Sequence, residues 1–157
     1  MAISNSSVIG VNLTRVDATA QFPVGTIVNL GDGGQAMYVQ ATTSALSTYA
    51  AVSIDPAGLA TMLTTTNAAT SPRIGFAQTS IATGAFGWVN LGGTVLVNAA
   101  AQSAPNVNIY TTATPGVLGS TLVSGGYIAG LIITTTISNA TATTAVCQYP
   151  HVTRQGP

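Results

Sequence analysis

Few side chains in this 157-residue sequence are of the types that carry out chemistry. Histidine occurs once, at His151, and cysteine occurs once, at Cys147. A structural zinc site needs four such ligands, so this pair cannot form one by itself. A single cysteine also excludes an internal disulfide. We expect Cys147 to be a small apolar filler in a strand and His151 to be a solvent-exposed residue of the C-terminal tail.

The acidic residues are equally isolated along the chain. Acid–base or nucleophilic catalysis needs a second group close to the first, and the sequence pairs none of them. Asp32 and Asp55 fall in turn-like segments, where a carboxylate accepts hydrogen bonds from nearby backbone amides. The glycine-rich segment at 31–34 lacks the Lys-Ser/Thr that follows in phosphate-binding loops. The sequence therefore predicts a protein that is not an enzyme and has no cofactor or metal.

Charge is scarce throughout the chain. The sequence has three arginines, three aspartates, and no lysine or glutamate, so 4% of its residues are charged, against about 25% in an ordinary domain. Nucleic acids and anionic membranes are bound through basic surfaces, and we predict neither as a partner. An uncharged polar surface suits a protein that is held in an assembly. The first seven residues lack the pattern of a secretion signal, so we expect synthesis in a cytoplasm, without export.

The composition favours strands over helices. Val, Ile and Thr together make up 51 residues, and these β-branched types pack well on pleated sheets. Without Glu and Lys, the usual solvent face of an amphipathic helix is missing. We predict an all-β fold: a single compact β-barrel or sandwich-like domain at 15–150, with extended N- and C-terminal arms at 1–14 and 151–157.

Turn residues divide the predicted domain into strands. Glycines at 31–34 predict a tight hairpin, and Gly92-Gly93 predicts another turn. Asp55-Pro56-Ala57-Gly58 predicts a second hairpin, with a short helix that begins at Asp55 as the alternative. We expect loops at 67–72, 99–106 and 113–126. The predicted strands are 26–30, 35–40, 49–54, 59–65, 73–81, 86–91, 94–98, 107–112, 131–137 and 144–149.

The N-terminal arm has apolar side chains spaced among small polar residues. An extended arm can add a strand to the sheet edge of a partner without any charged contact. A disordered terminus is the alternative. The candidate contact residues are Ile3, Val8, Ile9, Val11 and Leu13.

Short motifs of small residues and strand ends recur along the predicted domain. They are Gly75-Phe76-Ala77-Gln78, Gly87-Trp88-Val89 and Gly92-Gly93, with Tyr38-Val39-Gln40-Ala41 and Tyr110-Thr111-Thr112 fitting the same pattern. With these motifs, the chain resembles the head decoration (cement) proteins of tailed bacteriophages over roughly residues 25 to 150. The resemblance implies a small β-rich protein that binds the outside of an expanded capsid, commonly as a trimer, and it implies no catalytic residues.

We therefore predict a non-enzymatic virion protein that binds a major capsid protein, forms a homotrimer and stabilises the shell. One alternative is another virion or surface module, such as a tail, head-fibre or adhesin part. The other is a small glycan-binding domain that uses Trp88 and nearby tyrosines as a stacking platform. Against this second alternative, Trp88 is expected to anchor the core.

Overall fold

The computed structural model describes residues 11–70, 73–124 and 126–153. This part of the chain folds into strands and a single short helix, which confirms the predicted all-β class. In chain order the elements are β1 Val16–Asp17, β2 Ile27–Asn29, β3 Gln35–Ala41, β4 Ala51–Ile54, β5 Leu59–Met62, α1 Thr65–Ala68, β6 Arg73–Ala77, β7 Phe86–Ala99, β8 Ile109–Thr111, β9 Leu118–Gly119, β10 Tyr127–Ile133 and β11 Thr141–Thr153.

Five strands close into a small barrel. β3 pairs with β7, β7 with β6, β6 with β4, β4 with β5, and β5 returns to β3 in the parallel direction. Alternate side chains of a strand point to opposite faces, and those on the inner face of this ring are apolar. Val39, Val52, Ile54 and Val89 are fully buried there. Because the ring is closed, every strand of the barrel is paired on both sides within it.

A second ring of hydrogen-bonded strands shares β7 with the first. β7 pairs with β11, β11 with β10, β10 with β8, β8 with β9, and β9 returns to β7 at Ala99. β7 is 14 residues long because it serves both rings. Its Val89 and Leu91 enter the first core, whereas Val95 and Val97 enter the second.

The Gly92-Gly93 pair lies within β7, which corrects the turn predicted at this point. Gly92 is aligned with Gln35 of β3 and also with Gln148 of β11, so the strand exchanges neighbours here. Gly93 has a φ of +96°, which an L-residue rarely adopts. The two glycines let one strand continue from ring to ring where the sequence pattern predicts a chain reversal.

Both hairpins predicted from turn residues are confirmed. β2 and β3 pair in the antiparallel direction across 31–34, where Gly33 has a φ of +82°. Asp32 Oδ1 accepts a hydrogen bond from Gly34 N at 3.1 Å. β4 and β5 form the second hairpin, and Asp55 Oδ1 accepts bonds from Ala57 N and Leu59 N, both at 2.9 Å. These carboxylates fix turns, as their sequence positions predict.

The helical turn α1 occupies a place where the sequence predicts a strand end and a loop. Thr64 precedes it and forms a capping box with Asn67. Asn67 Oδ1 accepts a bond from Thr64 N at 2.8 Å, and Thr64 Oγ1 accepts one from Asn67 N at 3.3 Å. Asn67 replaces the usual Glu or Gln at the N3 position, three residues after the N-cap, so the sequence signal is weak.

The C-terminal strand is longer than predicted. β11 continues to Thr153, and its residues 151–153 pair with Tyr127–Ala129 of β10. The predicted tail therefore begins inside a strand. β10 starts four residues before the predicted 131, and a bulge at Gly130 shifts its register against β11. The extra residues of β11 at this bulge, Gln148 to Pro150, break the polar–apolar alternation that sequence reasoning depends on.

Candidate interaction surface

The motif in β6 is built into the junction of the two cores. Phe76 and Ala77 are fully buried, on opposite faces of the strand. A Cβ on Gly75 would lie 3.0 Å from Val89 Cγ2, so the position needs a small residue. Gln78 follows the strand, and its side-chain amide pairs with the backbone of Leu96 as a neighbouring strand would. Gln78 Nε2 donates to Leu96 O and Leu96 N donates to Gln78 Oε1, both at 3.1 Å. These residues determine the fold and do not form a surface.

Trp88 lies on the outer face of β7 but is covered by other aromatic rings. Its side chain is 2% exposed, and its ring centroid is 5.1 Å from that of Tyr38 and 5.3 Å from that of Phe22. Trp88 therefore anchors the core as expected, and it is not available as a platform for stacking sugars. At Gly87, a Cβ would lie 2.7 Å from Ile81 Cδ1, so this motif is also structural.

The predicted contact residues of the N-terminal arm fall into two groups. Ile3, Val8 and Ile9 lie outside the described residues. Val11 packs against the aromatic cluster around Trp88, and Leu13 is part of it, with 4% of its surface exposed. Burial in the chain's own core corrects the assignment of Leu13 to a free arm, because its side chain is not available to a partner.

Asp17 has a structural role that sequence reasoning missed. Its side chain is buried, accepts a 2.9 Å hydrogen bond from the Tyr38 hydroxyl, and forms an ion pair with Arg15. Burial is the main cause that raises the pKa of Tyr38, and the bond to Asp17 adds to it. The Arg15-x-Asp17 spacing is the signal that could have revealed the pair.

The remaining titratable groups do not converge on a site. Burial raises the pKa of the Cys147 thiol to about 12, which keeps it protonated and unreactive at neutral pH. His151 is exposed in β11, with Nδ1 3.2 Å from the carbonyl oxygen of Tyr149. In the described part of the chain, no three His, Cys, Asp or Glu side chains are placed to hold a metal ion.

The most distinctive surface feature is a groove on the outer face of the second ring. Ile132 of β10 and Val146 of β11 are aligned across the two strands and are 51% and 39% exposed. Val107, which precedes β8, adds a third exposed apolar side chain. The groove has a volume of about 430 Å³. It is lined by Asn106, Val107, Asn108, Tyr127, Gly130, Leu131, Ile132, Val146, Cys147 and Gln148.

The Gly130 bulge shapes one end of this groove. Gly130 has a φ of +76°, and a Cβ there would lie 2.5 Å from the carbonyl oxygen of Gln148. The close approach of the two strands therefore requires glycine. Next to it, the rings of Tyr110 and Tyr127 lie 5.8 Å apart at an angle of 53°, and Asn108 Nδ2 is 3.5 Å from the Tyr110 hydroxyl. The polar side of the groove is thus supported by neighbouring side chains.

The fold of this chain is shared with a solved phage structure. No protein-family model and no curated protein matches the sequence. Among solved structures, the chain resembles the head fiber gp8.5 N base of bacteriophage phi29, with a TM-score of 0.50 and 12% sequence identity. The match covers 76% of this chain and 98% of the phi29 chain. At this level of identity the likeness shows a shared fold.

Within the described residues, no helix is long and apolar enough to cross a bilayer.

Proposed function

We propose that this chain is a non-enzymatic structural module of a phage virion, bound to the outside of the head as the base of a fibre. The observation that carries the proposal is the fold shared with the phi29 head fiber base, which extends over nearly all of that chain. This role corresponds to the head-fibre alternative that the sequence left open.

The use of polar side chains supports a passive, non-catalytic role. Every buried side-chain nitrogen and oxygen in the described residues has a hydrogen-bond partner. Asp32 and Asp55 hold turns, Gln78 extends a ladder, and Asp17 is committed to Tyr38 and Arg15. Catalytic groups have pKa values matched to their task, whereas the raised pKa values of Tyr38 and Cys147 come mainly from burial in the core.

A decoration protein that coats the shell is the second candidate. It is favoured by the resemblance of the motifs at 75–78, 87–89 and 92–93, and with it we retain the homotrimer and the major capsid protein as partner. The two candidates differ in number and position on the particle. A fibre base occupies a limited set of sites and continues into a projecting fibre, whereas a decoration protein covers equivalent sites over the whole shell.

Attachment through the N-terminal segment is part of the proposal. Because Val11 and Leu13 pack into the core, the contact is assigned to Ile3, Val8 and Ile9. Deleting residues 2–9 removes these three side chains and spares the two that stabilise the fold. We expect the deletion variant to unfold at the same temperature as the full chain and to lose head binding. Unchanged binding would assign the contact to the folded domain.

The decisive experiment is co-sedimentation of the purified chain with phage heads, followed by electron microscopy of the heads that have bound it. With six charged residues per chain, and exposed ion pairs worth about 0–1 kcal/mol each, binding should change less than about tenfold between low salt and 1 M salt. If the chain binds heads at none of these salt concentrations, the proposal is overturned. If the chain occupies every equivalent site on the shell and no fibres project from it, the result favours a decoration protein over a fibre base.

A further inference from the structure

The groove beside the Gly130 bulge has the composition of a binding site for a small neutral ligand. Its polar lining residues are Asn106, Asn108 and Gln148, and its aromatic lining residue is Tyr127. Its apolar lining comes mainly from the side chains described above at 107, 132 and 146. We propose that this groove binds a neutral saccharide.

The chemistry of the lining matches the two kinds of surface on a sugar. Carboxamides donate and accept hydrogen bonds at the same time, as a row of sugar hydroxyls requires. The aliphatic C–H faces of a pyranose pack against apolar and aromatic side chains, which Val107, Ile132 and Tyr127 offer here. A volume of about 430 Å³ lies within the roughly 300–1,000 Å³ of small-molecule sites and admits one or two sugar units.

Two residues of the groove lining, Tyr127 and Asn108, are positioned by contacts with Tyr110 of β8. Tyr127 is half-buried, and its ring packs against that of Tyr110. The Tyr110 hydroxyl lies 3.5 Å from Asn108 Nδ2. Both strands that form the groove floor are held by the β10–β11 ladder on each side of the bulge. A site on paired strands loses less conformational entropy on binding than a site on a free loop.

Charge distinguishes the proposed ligand from other small molecules. None of the lining residues is an arginine or an aspartate. A phosphate, a sulfate or an acidic sugar would enter the groove without a cation to pair with, which disfavours it. A neutral sugar has no such requirement. This site is distinct from the Trp88 platform considered from the sequence, because Trp88 is buried.

The test is a titration of the full chain with sugars, monitored by NMR chemical shifts. The probes are glucose, galactose, mannose, N-acetylglucosamine, maltose and lactose, with N-acetylneuraminic acid as the charged comparison. We expect at least one neutral sugar to shift amide signals of 106–108 and 130–132, and the acidic sugar to bind at least tenfold more weakly. Tyr127→Ala should weaken the binding at least tenfold, and Tyr127→Phe should retain most of it.

Ile27→Ala is the control, since Ile27 is an exposed apolar residue of β2 that does not line the groove. It should bind the sugar as the unmodified chain does. Absence of binding by all neutral probes, or equal loss in Tyr127→Ala and Ile27→Ala, would overturn the assignment. Signals of the groove that shift with protein concentration alone would also overturn it, because they would show a second copy of the chain as the occupant. The titration needs no phage heads, so its result is independent of head attachment.

Discussion

The bulge in β10 provides the sharpest test of how backbone geometry stabilises this fold. Gly130→Ala adds a single methyl group at a φ of +76°, and that methyl would lie 2.5 Å from the carbonyl oxygen of Gln148. Gly33→Ala is the matched control. Gly33 has a similar φ of +82°, but nothing lies within 4 Å of its Cβ position. The pair separates the cost of the backbone conformation from the cost of the steric clash.

The expected magnitudes follow from these two terms. Placing an L-residue in the left-handed region costs roughly 1–2 kcal/mol, and the reduced entropy of the unfolded chain returns about 0.4–1 kcal/mol. Gly33→Ala should therefore lower the free energy of unfolding by about 1 kcal/mol. At Gly130 the methyl group also forces two strands apart, and overpacking of this kind typically costs about 1–3 kcal/mol. Gly130→Ala should lower the free energy of unfolding by about 3 kcal/mol in total.

Urea unfolding, followed by the fluorescence of Trp88, measures both variants. With a denaturant slope on the order of 2 kcal/mol per molar for a domain of this size, the midpoint should fall by about 1.5 M for Gly130→Ala and about 0.5 M for Gly33→Ala. Equal midpoints for the two variants would refute the reasoning, because they would show that β11 yields to the added methyl at no cost. A change in slope would indicate an altered unfolded or native state instead of a local clash.

Three further predictions concern buried polar groups and the thiol. Because burial raises the pKa of Tyr38, the unfolded chain loses that proton first, so stability should fall as pH rises above the ordinary value of 10.0. Tyr38→Phe should reduce this dependence in urea titrations, and the raised pKa of Cys147 accounts for the part that remains. The substitution should cost about 1–3 kcal/mol at pH 7, since Asp17 loses a hydrogen bond. Cys147, with its pKa raised to about 12, should resist a thiol reagent at pH 8 until urea unfolds the chain, and rapid labelling of the native protein would contradict its burial. Gln78→Ala should lower the free energy of unfolding by about 1–3 kcal/mol by leaving the Leu96 backbone unpaired, and an unchanged midpoint would show that water replaces the amide.

Sequence reasoning succeeded where a local rule decides the outcome. The β-branched composition predicts the all-β class, and the hairpins at 31–34 and 55–58 follow from residues that favour tight turns. Burial of Trp88 and Cys147 follows from the ordinary preference of these side chains for the interior. Each of these outcomes depends on composition, on residue type or on residues that are neighbours in the chain.

The candidate site depends on residues far apart in sequence, and no local pattern identifies it. The groove brings Asn108 to Gln148, and the burial of Asp17 depends on Tyr38, 21 residues further along the chain. The same limit applies to Leu13. The sequence predicts it as an arm residue, but in the structure it is buried in the aromatic cluster with Tyr38 and Trp88. Such contacts arise only when strands pair.

By itself, the sequence determined the strand-forming character of this protein, its turns and its nearly uncharged surface, because composition and short-range sterics decide those properties. The tertiary structure alone decided that Gly92-Gly93 continues a strand, that β7 serves two rings, and that a bulge at Gly130 opens a groove. The physical reason is that a glycine pair permits both a reversal and a close approach of backbones. Which of the two occurs depends on whether another strand, here β3 or β11, arrives to share the hydrogen bonds.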